Sequence, residues 1–105
     1  MYTMVFVTCK DEEEAKKIAR AMVSKRLAAC ATIIKNAKSF YWWRGKIEGT
    51  EENLIIIKSK INLLGKLIKE IRFLHSYEIP EIVALPMTGG LKDYFKWIDE
   101  ETLEE

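Results

Sequence analysis

The feature that most constrains this chain is the order in which β-rich and amphipathic segments alternate along its 105 residues. A β-rich run over Tyr2–Cys9 precedes apolar residues at helical spacing, and a second such helix lies between later β-rich segments. The order strand, helix, strand, strand, helix, strand is that of the split β-α-β, or ferredoxin-like, arrangement. We therefore predict a single α+β domain built on an antiparallel sheet.

The limits of the predicted elements follow from apolar spacing and from turn residues. Gly45 tolerates a positive φ, so residues 44–46 are predicted to form the turn of a long hairpin. A break or bulge is expected on the returning strand, near the segment EGTEE (48–52). The predicted bounds are 11–26 for the first helix, 29–43 and 47–58 for the hairpin strands, 61–74 for the second helix, 81–87 for the last strand and 91–98 for a short C-terminal helix.

Right-handed crossovers place the first and third strands at the sheet centre and both long helices on one face. The strand directions then bring three separated stretches to one end of the sheet, namely residues 9–11, 42–46 and 75–81. Cys30 begins its strand at the opposite end. We expect no bond between Cys9 and Cys30, because the α-carbons of a disulfide approach within about 7 Å.

The apolar runs VFV (5–7) and LIIIK (54–58) are apolar on both faces of their strands. Continuous apolar strands normally have both faces buried, but two helices cover only one face. Hairpin strands of roughly 12–14 residues also exceed the usual ~5–6 and would present open edges. These features predict self-association.

Charge and aromatic patterning bear on nucleic-acid binding. Lys and Arg number 17 and Asp and Glu number 16, a near balance that argues against a protein that grips phosphates. The run YWWRGK (41–46) could stack on bases, but the aromatic signature of RNA-recognition motifs is absent. We expect no nucleic-acid partner. Tyr41, Trp42 and Trp43 are instead predicted to lie at a subunit contact or in a cleft, together with Lys46 and Tyr77.

Two observations bear on location. No apolar stretch approaches the roughly 20 residues of a membrane span, so no membrane partner is expected. The first residues lack the basic and small-residue features of a signal peptide, which favours a cytoplasmic protein.

The octapeptide HSYEIPEI (75–82) contains the only histidine of the chain. We expect Ile79 and Ile82 to anchor its ends in the core and to hold His75, Tyr77 and Glu78 outward.

The same octapeptide and Cys9 offer candidate metal ligands. His75 could simply be favourable at a helix C-terminus, or it could bind a metal ion through its imidazole. Cys9, at the same end of the sheet, suits copper or zinc as a thiolate, or is a small buried apolar residue. Glu78 and Glu81 are the weaker candidate ligands, with solvated turn residues or ion-pair partners as the alternative.

The catalytic signals are few. The chain has one histidine, no glycine-rich phosphate loop and no Ser/His/Asp set, so we expect no enzyme. Acid–base chemistry by His75 and Glu78 is the enzymatic alternative.

Several stretches in the same order make the chain resemble the CutA family, the divalent-cation tolerance proteins. They are VTCKDEEEA (7–15), KRLAACATII (25–34), SFYWWRGKIE (39–48), LIIIKS (54–59), HSYEIPEIVALPMTGG (75–90) and YFKWI (94–98). Lys35 and Ser76 depart from the pattern, since members usually have proline there.

The resemblance implies a cytosolic homotrimer of ferredoxin-like subunits, similar in architecture to the PII signalling proteins, whose long hairpins reach onto neighbouring subunits. It also implies association with divalent metal, copper above all, in a family not known as enzymes. The alternative is a PII-like trimeric scaffold or signalling module with no physiological metal.

Overall fold

The computed structural model describes residues 1–104. Its sheet has the strand order β2-β3-β1-β4, and every neighbouring pair is antiparallel. This confirms the predicted α+β arrangement, with the first and third strands at the centre. The elements are β1 (Tyr2–Cys9), α1 (Glu12–Ser24), β2 (Cys30–Trp43), β3 (Lys46–Lys60), a 3-10 turn (Ile61–Leu63), α2 (Leu64–Leu74), β4 (Ile82–Pro86) and α3 (Lys92–Glu101).

The core lies between one face of the sheet and the two long helices. Alternate residues of β1 and β3 face it, since Val5 pairs with Ile57 and Val7 pairs with Ile55. All four are fully buried, and each large aliphatic side chain removed from water contributes about 1.5–3 kcal/mol. The helices complete the core with fully buried residues, chiefly Ile18, Met22, Leu67 and Ile71.

Helix α1 begins where the sequence predicts. The carboxylate of Asp11 accepts a hydrogen bond from the backbone N–H of Glu14 at 2.8 Å, which satisfies one unpaired donor of the first turn. The helix ends at Ser24 rather than near residue 26. The reason is local, since Arg26 has a φ of 58° and cannot continue a right-handed helix.

The β2–β3 hairpin extends well beyond the rest of the sheet. Its two-residue turn, Arg44–Gly45, has φ values of 51° and 81°, the pair of positive angles that a tight hairpin of type I′ requires. β1 pairs with β3 only as far as Asn53, opposite Cys9. Within the described part of the chain, the outer part of the hairpin, residues 37–52, is therefore paired only with itself.

The irregularity of the hairpin lies on β2, opposite the end of the EGTEE segment, so the expectation that β3 itself is broken or bulged is wrong. The register shifts between Ile34 and Ala37, which leaves Lys35 and Asn36 opposite Asn53. Asn36 adopts a φ of 62°, a left-handed conformation that asparagine tolerates better than most residues. Two residues facing one form a β-bulge, which bends the strand at that point.

The second face of the sheet is covered only in part by the chain itself. The ring of Phe95 in α3 stacks on Tyr2 with centroids 4.6 Å apart, and the Tyr2 hydroxyl donates to Asp99 at 2.6 Å. Val83 and Leu85 of β4 remain 50% and 44% exposed. Among residues 1–104, no helix has the length and apolar character needed to cross a membrane.

Candidate functional site

Three buried side chains with metal-binding atoms meet at one end of the sheet, and we call them the base cluster. Cys9 ends β1, Glu14 lies in the first turn of α1, and His75 follows α2. One donor atom from each, a sulfur, a carboxylate oxygen and a ring nitrogen, lies within 4.8 Å of the others. The cluster brings together two predicted ligands and one residue that the sequence did not single out.

His75 is buried, so the expectation that its side chain points outward is wrong. Its Nε2 lies 2.8 Å from the carbonyl oxygen of Thr8, and its Nδ1 accepts the backbone N–H of Tyr77 at 3.1 Å. A carbonyl can only accept and a backbone amide can only donate. The proton must therefore sit on Nε2, and the ring is the neutral tautomer with its lone pair on Nδ1.

Glu14 joins the start of α1 to the segment that follows α2. Its Oε2 accepts the N–H of Ser76 at 2.8 Å, and its Oε1 accepts the N–H of Lys10 at 3.4 Å. Burial raises the pKa of Glu14, but the hydrogen bonds from Ser76 and Lys10 outweigh it and leave the pKa below its ordinary value. The carboxylate is therefore ionised at neutral pH.

The sequence pattern does not single out Glu14, because an acidic run such as 12–14 suits any helix start on dipole grounds. The spacing Asp-x-x-Glu from Asp11 is nevertheless that of a capping box, in which the fourth residue turns back toward the preceding backbone. That spacing was the signal that could have separated Glu14 from its two acidic neighbours.

Cys9 is fully buried, and burial raises the pKa of its thiol to about 12, with the negative charges of Glu14 and Asp11 adding to the effect. The thiol is protonated at neutral pH. A metal ion would have to displace that proton to bind the sulfur.

One further oxygen belongs to the surroundings of the cluster. Asn53 stands directly opposite Cys9 in the β1–β3 ladder, so both side chains lie on the same face of the sheet. The Oδ1 of Asn53 is buried and has no hydrogen-bond partner within residues 1–104.

The donor set of the base cluster fits a borderline or soft divalent ion. Sulfur and imidazole suit copper and zinc, whereas magnesium and calcium prefer oxygen ligands. A metal-binding histidine also usually donates its other ring N–H to a carbonyl or carboxylate, as His75 does to Thr8. The residues present therefore fit such an ion, once Nδ1 has released the Tyr77 amide.

Except for Lys46, the other predicted site residues line a separate depression between the outer hairpin and residues 77–81, which we call the hairpin cleft. It has a volume of about 860 Å³. Its lining includes Tyr41, Trp42, Trp43, Glu48, Glu52, Tyr77, Glu78 and Glu81. Glu78 and Glu81 thus lie on this cleft and are not among the base cluster, while Lys46 lies at the end of the hairpin and does not line the cleft.

Two contacts tie the cleft together. Arg44 at the hairpin turn forms an ion pair with Glu78 at 3.3 Å, and the hydroxyl of Tyr77 donates to Glu52 at 2.7 Å. Burial and the hydrogen bond to Glu52 raise the pKa of Tyr77. The three sequence stretches expected at this end of the sheet do meet there, but they form two compartments.

The second cysteine lies away from both compartments. Cys30 pairs with Lys58 at the other end of the hairpin, and both cysteines are free, as the strand directions predict.

Known proteins of one family match this chain over almost its whole length. Residues 3–101 match the family model described as CutA1 divalent ion tolerance protein. The chain is 40% identical over 100 residues to the divalent-cation tolerance protein CutA of Archaeoglobus fulgidus, with 95% of this chain and 97% of that protein covered. The structure of the Thermus thermophilus protein, named divalent cation tolerance protein, superposes with a TM-score of 0.95 at 39% identity, covering 97% of this chain and 99% of that one.

The eukaryotic relatives are longer. Mouse Protein CutA is 45% identical over 97 residues, which are 92% of this chain and 55% of that protein. The chain thus spans about half the length of the mouse relative. The rice relative is named chloroplastic and the solved Archaeoglobus fulgidus protein is named periplasmic.

Proposed function

Since the chain belongs to the CutA1 divalent ion tolerance family, we propose that it is a non-enzymatic homotrimer that binds a divalent metal ion, copper above all, at the base cluster. The observation that carries the proposal is the meeting of a thiol, an imidazole and a carboxylate within 4.8 Å in a buried position. Its role would be to hold the ion as part of metal tolerance.

Each residue of the cluster has a defined part in this proposal. The carbonyl of Thr8 holds the Nε2–H of His75 and so directs the Nδ1 lone pair as the ring's donor. Cys9 supplies sulfur after losing its proton, and Glu14 supplies a carboxylate that is already ionised. A bound copper or zinc ion would supply the positive charge that favours the thiolate.

The trimer is supported by two exposed surfaces. The second face of the sheet keeps half-exposed apolar residues such as Val83 and Leu85, and the outer hairpin carries Trp42 with 71% of its surface exposed. A closed ring of subunits would cover both surfaces and would leave no open edge to form fibres. Light scattering at micromolar concentration should give three times the 12.2 kDa chain mass, and the monomer mass would contradict the trimer.

We propose a cytoplasmic location, supported by the two cysteines, which are both free, as thiols remain in a reducing compartment. Cell fractionation with an antibody to the untagged protein checks it, and recovery in an exported fraction would contradict it.

Calorimetric titration of the reduced protein with Cu²⁺ and Zn²⁺, without oxygen, tests the metal site. We expect Cys9→Ser and His75→Ala to weaken binding by about tenfold or more each, because each removes one ligand. Cys30→Ser is the matched control, since it removes a thiol outside the cluster. If both cluster variants bind as tightly as the Cys30 variant, the metal is held elsewhere or not at all.

A trimeric scaffold or signalling module without a physiological metal is the second candidate. It is favoured by the fact that the cluster is already satisfied, since both nitrogens of His75 have partners and Cys9 is protonated. Metal analysis of protein purified without an affinity tag separates the two. Stoichiometric copper or zinc supports the metal site, and metal-free protein with unchanged folding supports the scaffold.

A further inference from the structure

One buried polar atom without a hydrogen-bond partner lies beside the base cluster. It is the Oδ1 of Asn53, which has no such partner within residues 1–104. Asn53 continues the core-facing row of β3, whose next two members, Ile55 and Ile57, are fully buried apolar residues. A buried amide oxygen without a donor or a cation is unfavourable, so packing alone does not account for an asparagine here.

The register of the sheet places the Asn53 side chain next to the sulfur of the cluster. Asn53 is the direct partner of Cys9 in the β1–β3 ladder, and the β-carbons of such a pair lie about 4.5–5.5 Å apart on one face of the sheet. The Cys9 sulfur in turn lies within 4.8 Å of donor atoms of Glu14 and His75. The oxygen without a partner is therefore on the side of the sheet where the other three donor atoms meet.

The cluster itself donates no hydrogen bond to this oxygen. Both ring nitrogens of His75 already have backbone partners, and the ionised carboxylate of Glu14 can only accept. The thiol of Cys9 is protonated but does not donate to Asn53, whose Oδ1 has no partner. A water molecule or a cation is what would satisfy the oxygen.

The number of ligands favours the cation. A metal ion held by the base cluster alone would have three protein ligands, whereas structural zinc sites almost always have four in a tetrahedral arrangement. With the carbonyl oxygen of Asn53 as the fourth, β1, α1, β3 and the end of α2 would each contribute one ligand. Such a site would be closed by the chain itself.

The charges and the chemistry of the four donors bear on which ion is preferred. A thiolate and a carboxylate carry two negative charges, whereas imidazole and amide are neutral. A divalent ion would cancel both charges, but Cu⁺ would leave one uncompensated in the interior, which is unfavourable. Two of the four donors would also be oxygens, which suit a soft ion such as Cu⁺ less well than a borderline divalent ion.

We propose that Asn53 is the fourth ligand of the base cluster through its Oδ1, and that this oxygen favours Zn²⁺ and Cu²⁺ over Cu⁺. The inference rests on the proposed function, because it requires an ion at Cys9, Glu14 and His75. It adds a ligand from β3 and a preference for the divalent state of the ion.

The zinc affinity of the intact protein carrying Asn53→Leu tests the ligand. Leucine has nearly the shape of asparagine and no polar atom, so it removes the donor without opening a large cavity. We expect Zn²⁺ binding to weaken by about tenfold or more, measured by calorimetric competition with a chelator under reducing conditions. Without metal, the variant should unfold at the same or a higher urea concentration than the parent, because a buried oxygen without a partner has been removed.

This pair of measurements separates a ligand from a residue with a structural role. A ligand predicts weaker zinc binding at undiminished stability of the metal-free protein. A structural role, including one in which a buried water bridges Asn53 to its surroundings, predicts a loss of stability in Asn53→Leu. That loss, or zinc affinity equal to that of the parent, would overturn the proposal.

Two further variants of β3 complete the test. Asn53→Asp keeps an oxygen donor at the same position and should bind Zn²⁺ about tenfold or more tightly than Asn53→Leu. Thr50→Val is the matched control, because it exchanges a polar for an apolar group of similar shape on the same strand outside the cluster. It should change zinc affinity by about twofold or less.

Titration with Cu⁺ in the absence of oxygen tests the preference for a divalent ion. Asn53→Leu should change the Cu⁺ affinity by about twofold or less, because a soft ion gains little from an amide oxygen. Cys9→Ser should weaken the binding of both ions. Equal losses of Zn²⁺ and Cu⁺ affinity in Asn53→Leu would mean that leucine disturbs the whole cluster, and they would overturn the assignment of Asn53 as a ligand.

The outcomes also separate this inference from the function on which it rests. If Cys9→Ser weakens zinc binding and Asn53→Leu does not, the base cluster holds the ion and only the role of Asn53 is wrong. If the parent binds neither Zn²⁺ nor Cu²⁺, both proposals fail.

Discussion

The base cluster and the hairpin cleft lie at the same end of the sheet, yet their polar groups have different kinds of hydrogen-bond partner. In the cluster, both nitrogens of His75 and both oxygens of Glu14 have backbone partners from the chain itself. In the cleft, Glu52 accepts from the side chain of Tyr77, and Phe40 and Trp42 of the outer hairpin are largely exposed. The first region is closed by its own chain, whereas the second depends on side chains of an exposed hairpin.

The two regions differ in the groups that a bound ligand would have to displace. A ligand of the base cluster must displace a proton from Cys9 and an amide from Nδ1 of His75. A molecule that packs on the exposed rings of the outer hairpin would displace neither a proton nor a backbone hydrogen bond. Metal binding at the cluster should therefore depend on pH, whereas a contact on the outer hairpin should depend on the apolar area that it buries.

The largest expected effect contrasts two isoleucines of β3. Ile57→Ala, at a fully buried position, should lower the free energy of unfolding by about 2–5 kcal/mol, because it leaves a cavity in the core. Ile47→Ala, on the outer hairpin and 65% exposed, should cost less than about 1 kcal/mol. Urea denaturation measures both. Equal losses would contradict this contrast, since they would mean that a contact between copies of the chain buries the outer hairpin as deeply as the core.

A second prediction concerns the aromatic tip. Replacing Trp42 and Trp43 with serine should weaken self-association by about tenfold or more, because each large aromatic side chain can bury ~150–250 Å² at a contact. The far-ultraviolet circular dichroism should not change, since neither ring belongs to the core. Light scattering on dilution measures the effect, and an unchanged mass over the whole concentration range would place these rings outside the subunit contact.

A third prediction sharpens the role assigned to Glu14. Glu14→Gln should lower the free energy of unfolding by about 1–3 kcal/mol, because it weakens the hydrogen bonds to Ser76 and Lys10. Glu13→Gln, an exposed change in the same helical turn, is the control and should cost less than about 0.5 kcal/mol. Ser76→Pro removes the N–H that Glu14 accepts, and it should destabilise in the same way.

The pH dependence of the Glu14 effect has a definite sign. The pKa of Glu14 is lowered in the folded state, so its contribution is present above the ordinary glutamate pKa and is lost as pH falls through the folded value. Stability should therefore fall less steeply on acidification in Glu14→Gln than in the parent. Parallel acid limbs of the two stability curves would contradict this role.

The smallest predicted effect is an alkaline one at Cys9. Its pKa rises from 9.0 to about 12 on folding, so its contribution is complete below the ordinary value and is lost as pH rises toward 12. Between pH values of about 8 and 10 the parent should lose about 1 kcal/mol more stability than Cys9→Ser. Urea denaturation under reducing conditions measures the slope, and identical slopes would mean that the buried thiol does not titrate with folding.

The parts of the fold that follow short-range rules could be predicted from the sequence. The Asp11 cap, the glycine turn at Gly45 and the limits of β1 each depend on neighbouring residues, and each lies where the pattern predicts. The bulge could not be placed, because a charged segment such as EGTEE resembles a break until its partner strand is known. The bulge instead occurs at Asn36, whose tolerance of positive φ becomes visible only once the register is known.

The candidate metal site could likewise be predicted only in part from the sequence. Topology alone brought Cys9 and His75 to one end of the sheet, and they are neighbours. The hydrogen-bond partners of His75 are backbone groups of Thr8 and Tyr77. Since nearly every residue type has the same backbone groups, the sequence could not identify these partners. Ile79, expected to anchor the loop in the core, is 71% exposed and lines the cleft, which hydrophobicity alone could not reveal.

The hydrogen bond between the ring of His75 and the carbonyl of Thr8 joins residues 67 positions apart. The turn at Arg44–Gly45, by contrast, closes a hairpin within neighbouring residues, an event that takes about 1–10 μs in isolated hairpins. Contacts between distant parts of a chain form later, because their loop-closure entropy must first be overcome. The hairpin can therefore exist on a chain that is still folding, whereas the three donors of the base cluster assemble only when β1, α1 and the end of α2 have docked. A newly made chain would offer its aromatic surface to partners early and its thiol, imidazole and carboxylate as a set only at the end, so capture of a metal ion at this position would mark a completed fold.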